Sequence, residues 1–266
     1  MRPAAELIEP SSAPELVTYE QPLNERMRTF LRLNFLFDQS EFHARGSSTW
    51  QSRAAVSSLL DVLAILGRGD VRQEVIKELE RYASELLQFR AQPGVDRDKL
   101  DQVLDDISKI LKELEATGNT IVQRLKESDF LNAVRHRSAI PGGTCEFDLP
   151  DYRHWLSLSY EQRLGDFNTW LGMVGPLRRG IQKVLWLLRE SAHAQPQVAR
   201  AGMFQHVLER GMSVQLLRVG VEPTAVVFPE ISGSQHRFTV RFNTWQDVAT
   251  RPVQSTDDVK FFLACC

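Results

Sequence analysis

The sequence predicts an α+β protein, with an N-terminal all-helical domain followed by a smaller C-terminal antiparallel β-domain. Three observations carry that prediction. Apolar residues recur at three- and four-residue spacing as far as about residue 137, and they alternate after Pro196. Between the two regimes, Ile140-Pro141-Gly142-Gly143 interrupts helical chemistry. A chain of 266 residues has room for two domains, and 42% hydrophobic with 25% charged residues is the balance of a globular protein.

Residues 1–18 are rich in proline and small side chains, lack periodicity and read as a flexible tail. Order begins at Tyr19–Leu23. Asn24 is placed to cap a helix whose apolar face carries Met27, Phe30, Leu31, Phe35 and Leu36. A second helix runs from Thr49 to Leu66 and stops at Gly67-Arg68-Gly69. Asp70 caps a third, in which Val71, Val75, Leu79, Tyr82 and Leu86 keep 4-3 spacing until Pro93-Gly94. A fourth, from Asp96 to Ala116, has Leu100, Leu104, Ile107, Leu111 and Leu114. That spacing favours an antiparallel hairpin with the third helix, with a coiled-coil dimer as the alternative. A fifth covers Thr120–Arg137 and completes a helical domain over residues 19–139.

Beyond the glycines, Cys145, Phe147 and Leu149 alternate with Glu146 and Asp148, which is the period of a strand, and Arg153–Leu158 reads as a second. Helical spacing returns over residues 161–191 with a kink at Gly175-Pro176, in a helix expected to pack back onto the helical domain. Met203–Val207, Ser213–Val219, Ala225–Phe228, Arg237–Phe242 and Val259–Cys266 read as strands, with Ser232-Gly233 as a turn. The β-domain is thus residues 140–160 plus 196–266.

Composition excludes several classes of function. A net charge of −2 disfavours nucleic-acid binding through a basic surface. The longest stretch without Asp, Glu, Lys or Arg is Phe167–Leu177, far short of the ~20 apolar residues of a membrane span. The N-terminus lacks the pattern of a signal peptide. Cys145, Cys265 and Cys266 give no disulfide framework, and the terminal pair suits opposite faces of a last strand in a reducing compartment better than lipidation. The expectation is a soluble cytoplasmic protein with no membrane insertion. No phosphate-cradling loop, dinucleotide glycine pattern, zinc-ligand spacing or nucleophile elbow occurs, so no catalytic residue, metal or cofactor is assigned. Cys145 alternates with Phe147 and Leu149 and reads as a core residue; a dyad with one of the six scattered histidines is the enzymatic alternative.

Basic residues are the remaining signal. Arg135 and Arg137 lie in the acid-free stretch Leu131–Cys145, and Arg178, Arg179 and Lys183 crowd a helix start, where solvated surface is the ordinary reading. Arg237 and Arg241 project from one face of a strand, ~13–14 Å apart at typical strand rise. Two arginines flanking Thr239 can fork onto carboxylates of a bound peptide.

Several stretches carry a resemblance. Tyr19-Glu20-Gln21-Pro22-Leu23-Asn24-Glu25-Arg26-Met27-Arg28-Thr29-Phe30-Leu31-Arg32, Gly69-Asp70-Val71-Arg72, Ile140-Pro141-Gly142-Gly143 and Phe147-Asp148-Leu149-Pro150 with Trp155-Leu156 are four of them. Ile231-Ser232-Gly233, Arg237-Phe238 with Arg241-Phe242, and Leu263-Ala264-Cys265-Cys266 complete the series. In this order they resemble the ZapD family of bacterial cell division proteins. The resemblance implies a cytoplasmic homodimer recruited to mid-cell by FtsZ. It further implies binding to the C-terminal tail of FtsZ, bundling of FtsZ protofilaments and lowered GTP turnover. For the tail site it implies Arg237 and Arg241, with Arg153 in a matching stretch where relatives can carry His. Asp129 stands where a relative carries Arg, which implies that part of the pocket is either rearranged here or compensated by Arg135 and Arg137.

Overall fold

The computed structural model describes residues 16–117, 123–125, 127–209, 214–234 and 236–266. Contacts divide the chain into two compact units. One is helical, Arg26–Glu190; the other joins the N-terminal segment to Ser191–Cys266.

The helical unit contains α1 (Glu25–Ala44), α2 (Thr49–Leu66), α3 (Val71–Phe89), α4 (Arg97–Thr117), α5 (Asp129–Ser138), α6 (Pro150–Ser157), α7 (Tyr160–Met173) and α8 (Gly175–Glu190). Capping chemistry sets several starts: Ser48 and Gln51 form a reciprocal capping box on α2, and the Asp70 carboxylate accepts the Gln73 amide on α3. The third and fourth helices pack against each other, and α8 lies on both. A Cβ at Gly180 of α8 would stand 2.6 Å from Val75 Cγ1 and 3.3 Å from Leu114 Cδ1, so glycine permits that close approach. Leu79, Ile107, Leu114 and Ile181 are fully buried there, each worth ~1.5–3 kcal/mol relative to exposure.

Several sequence expectations change in this unit. The buried face of α1 is Met27, Phe30, Leu33 and Phe37, whereas Phe35 is 64% exposed. The apolar stripe runs at 3-3-4 spacing, and the cluster of phenylalanines and leucines around residue 35 hides which of them it takes. Cys145–Leu149 is a run of turns, with Gly143 donating to Ile140 O and Cys145 to Gly142 O; Phe147 is 86% exposed. Residues 153–158, read as a strand, lie largely in α6. Pro150 is placed at the first turn, where its missing N–H is harmless, and buried Tyr152, Trp155 and Leu156 have helical spacing. Phe130, Tyr152, Trp155 and Trp170 form a ring cluster with centroids 5.6–5.9 Å apart. Residues 140–160 therefore belong to the helical unit, not to the β-domain. The kink expected at Gly175-Pro176 is a break between two helices, α7 and α8, which meet at Val174-Gly175, and the fifth helix is described over residues 123–125 and as α5.

The β unit holds β1 (Val17–Pro22), β2 (Gln195–Ala199), β3 (Met203–Val207), β4 (Leu216–Val221), β5 (Val227–Gly233), β6 (Arg237–Thr244), β7 (Val253–Gln254) and β8 (Val259–Cys265). Most of the tail expected over residues 1–18 lies outside the described residues, but Val17 and Thr18 are already paired in β1. The start of the strand expected at Ser213 also lies outside them. Ser232 and Gly233, expected as a turn, are the paired end of β5. One antiparallel sheet has the order β1-β4-β8-β2; the other is β3-β6-β5, with β7 also on β6. Inward residues of both sheets, among them Leu217, Val219, Phe238, Val240, Phe242 and Phe261, share one core. The Phe242 and Phe261 rings are 5.1 Å apart.

Candidate functional site

The strand β6 is flanked by β3 and β5, and its alternation decides what it presents. Phe238, Val240 and Phe242 enter the core at 0–2% exposure, so Arg237, Thr239 and Arg241 stand on the opposite face. Register builds three rows there. Val207 pairs with Arg237; Gln205, Thr239 and Ser232 align in the middle; Met203, Arg241 and Glu230 form the third. A cavity of about 620 Å³ opens over the first two rows, lined by Gln205, Val207, Ser232, Ser234 and Arg237 among others. Neither Arg237 nor Arg241 has an acidic partner among the described residues. A guanidinium beside hydroxyl and amide groups is suited to a carboxylate of an extended peptide, with exposed Val207 as an apolar contact.

The other three predicted site residues lie in the helical unit and are arranged differently. Arg153 on α6 pairs with Glu146 at 2.9 Å, and Arg137 at the end of α5 stands 3.7 Å from Asp148. One short acidic segment therefore serves both. Arg135 is exposed on the last turn of α5, where a cation is favoured by the helix dipole. Asp129 occupies the first turn of that helix, behind the Ser128 cap, where an anion is favoured for the same reason.

A cavity of about 430 Å³ borders Arg153, between Trp50, Arg53, Cys145 and Glu146. Trp50 is 77% exposed. Arg53 donates to Thr144 O at 2.8 Å and stacks its guanidinium 5.0 Å from the Tyr152 ring. Burial pushes the Tyr152 phenol up to about 12, against the opposing effect of Arg53. The Cys145 thiol donates to Asp148 Oδ2 at 3.3 Å, so its hydrogen-bond partner is a carboxylate rather than an imidazole. Trp50 and Arg53 escaped the sequence reading because they are helical residues with no local mark; only the fold brings them beside Arg153.

The basic cluster at 178–183 is engaged in structural ion pairs. Arg178 forks onto Glu41 of α1, Arg179 Nε reaches Glu113 of α4 at 3.2 Å, and Lys183 reaches Asp106 at 2.9 Å. Its charge is spent between helices instead of being offered to a ligand.

Among the described residues, no helix is long and apolar enough to cross a membrane. The chain matches the profile of ZapD, described as a cell division protein, over residues 31–241. The ZapD of Methylococcus capsulatus is 41% identical over 250 residues, covering 94% of this chain and 98% of that protein. Those of Bordetella pertussis, 39% identical over 251 residues, and Aromatoleum aromaticum, 37% over 254, match with similar coverage: 94% and 96% of this chain, and 98% of each relative. A helical unit, a β unit and relatives named in this way define a bacterial cell division protein. The chain belongs to the ZapD family.

Proposed function

We propose that this protein binds the C-terminal tail of FtsZ and, as a homodimer, cross-links FtsZ protofilaments into bundles. Bundling promotes assembly of the division ring and lowers FtsZ GTP turnover. The protein acts in the cytoplasm and reaches mid-cell through FtsZ, without a catalytic step of its own. The observation that carries this reading is the outer face of β6, where Arg237 and Arg241 stand without acidic partners among the described residues. Arg153, Arg137 and Arg135 are supporting candidates, two of them screened by Glu146 and Asp148.

Valence supplies the mechanism. One tail site per protomer and two protomers make a bridge, and many weak bridges along paired filaments add through effective concentration. Each contact can then stay weak and salt-sensitive while the bundle is firm. The test is sedimentation of GTP-assembled FtsZ with and without this protein, beside FtsZ lacking its C-terminal tail. The expected result is extra pelleting that disappears on tail deletion. Pelleting that survives deletion moves the site elsewhere, and no pelleting from folded protein at low salt rejects the function.

A further inference from the structure

Two glutamate–arginine couples stand directly opposite each other across antiparallel strands of the β unit, and they differ. Glu20 on β1 faces Arg218 on β4, and this pair closes at 3.3 Å. Glu230 on β5 faces Arg241 on β6 in the same relation, but its carboxylate turns along the sheet. Its Oε2 accepts Asn243 Nδ2 at 3.3 Å. Directly opposed residues hold their Cβ atoms ~4.5–5.5 Å apart, close enough for an ion pair to form by default. What separates the two cases is Asn243, two residues beyond Arg241 on the same face and only 8% exposed. A buried amide needs an acceptor for its N–H groups, and Glu230 supplies one. The same hydrogen bond withdraws the carboxylate from Arg241.

We propose that Asn243 is a positioning residue for the acidic-peptide site. By holding Glu230 aside, it keeps the Arg241 guanidinium available to a carboxylate of the partner. Without Asn243 the Glu230 carboxylate swings onto Arg241 and competes with the incoming peptide from within the sheet. The inference rests on the tail-binding reading above and adds the device that keeps its second arginine open. Because Glu230 is exposed, the competing pair is a surface one, and it weakens peptide binding only about two- to five-fold.

A double-mutant cycle on the full-length protein tests this, read by fluorescence anisotropy of a labelled FtsZ C-terminal tail peptide. Asn243→Ala is expected to weaken binding about two- to five-fold. Adding Glu230→Gln to that variant is expected to restore the affinity of Glu230→Gln alone, because a neutral amide cannot compete for Arg241. A purely structural role for Asn243 predicts instead the same loss in both backgrounds, and that result overturns the proposal, as does an unchanged affinity in N243A. Should N243A fail to fold, Asn243→Ser shortens the side chain while keeping it polar, and the same cycle applies. Failure of the wild-type protein to bind the peptide overturns the functional reading and this inference with it. Wild-type binding that the cycle does not modulate overturns the inference alone.

Discussion

The cations of α8 and those of β6 look alike in sequence, and the fold treats them in opposite ways. Arg178, Arg179 and Lys183 each meet a carboxylate from another helix, and Arg178 is largely buried against Glu41. Arg237 and Arg241 lie on a central strand whose flanking strands present Val207, Gln205, Ser232 and Met203 to them, and the acid directly opposite Arg241, Glu230, is drawn off by Asn243. The difference teaches that a basic cluster is a binding surface only when the fold fails to neutralise it. Density of positive residues along the chain does not measure this. The acids that meet α8 come from α1 and α4, remote in sequence, and no local pattern announces them.

Several substitutions break or sharpen this contrast. The largest effect is expected for Arg178→Ala, which leaves Glu41 without its forked partner and should lower the unfolding free energy by about 2 kcal/mol. Urea denaturation measures the loss, while FtsZ pelleting per folded molecule stays unchanged. Next comes Arg237→Glu, expected to weaken tail-peptide binding about tenfold or more by setting like charges against each other. Its stability should stay within about 0.5 kcal/mol of the parent, as for other exposed positions. Reversed outcomes for these two variants would exchange the roles assigned to the helix and the strand. A smaller, graded effect is expected from salt. Between about 0.05 and 0.3 M the peptide affinity should fall severalfold, whereas the half-buried Arg178–Glu41 pair is screened less and stability changes little. The smallest is Arg153→Ala: its pair with Glu146 is exposed on both sides, so stability should move by no more than about 0.5 kcal/mol. Any drop in peptide affinity beyond twofold in that variant assigns Arg153 to the docking surface; an unchanged affinity removes it.

Much of the fold was legible because periodicity reports burial directly. The bounds of α2 and of β3 match those read from spacing and breakers, and the outward face of β6 followed from alternation alone. Misreadings arose where two periods fit the same few residues. Cys145, Phe147 and Leu149 alternate like a strand, yet the turns set by Gly142 and Gly143 and the helix start at Pro150 override that pattern, leaving Phe147 in solvent. On α1, Phe35 and Phe37 stand two residues apart, hence on nearly opposite faces of the helix, and the buried stripe takes Phe37. The candidate site was legible as a pair of arginines and not as a surface. Cross-strand register alone sets Glu230 opposite Arg241 and Gln205 opposite Thr239, and register depends on pairing between segments rather than on either segment by itself.

The pairing of β1 with β4 has a consequence for how the chain emerges from the ribosome. Val17–Pro22 is made early, but its hydrogen-bonding partner Leu216–Val221 appears only roughly 200 residues later, about 10–40 s at ordinary elongation rates. All of Arg26–Glu190 is synthesised in that interval and can complete its own core first. The first strand must therefore wait without its one strand neighbour, and none of its ladder hydrogen bonds can form until β4 has been made. A pause in translation before residue 216 would lengthen the time that segment spends without its partner.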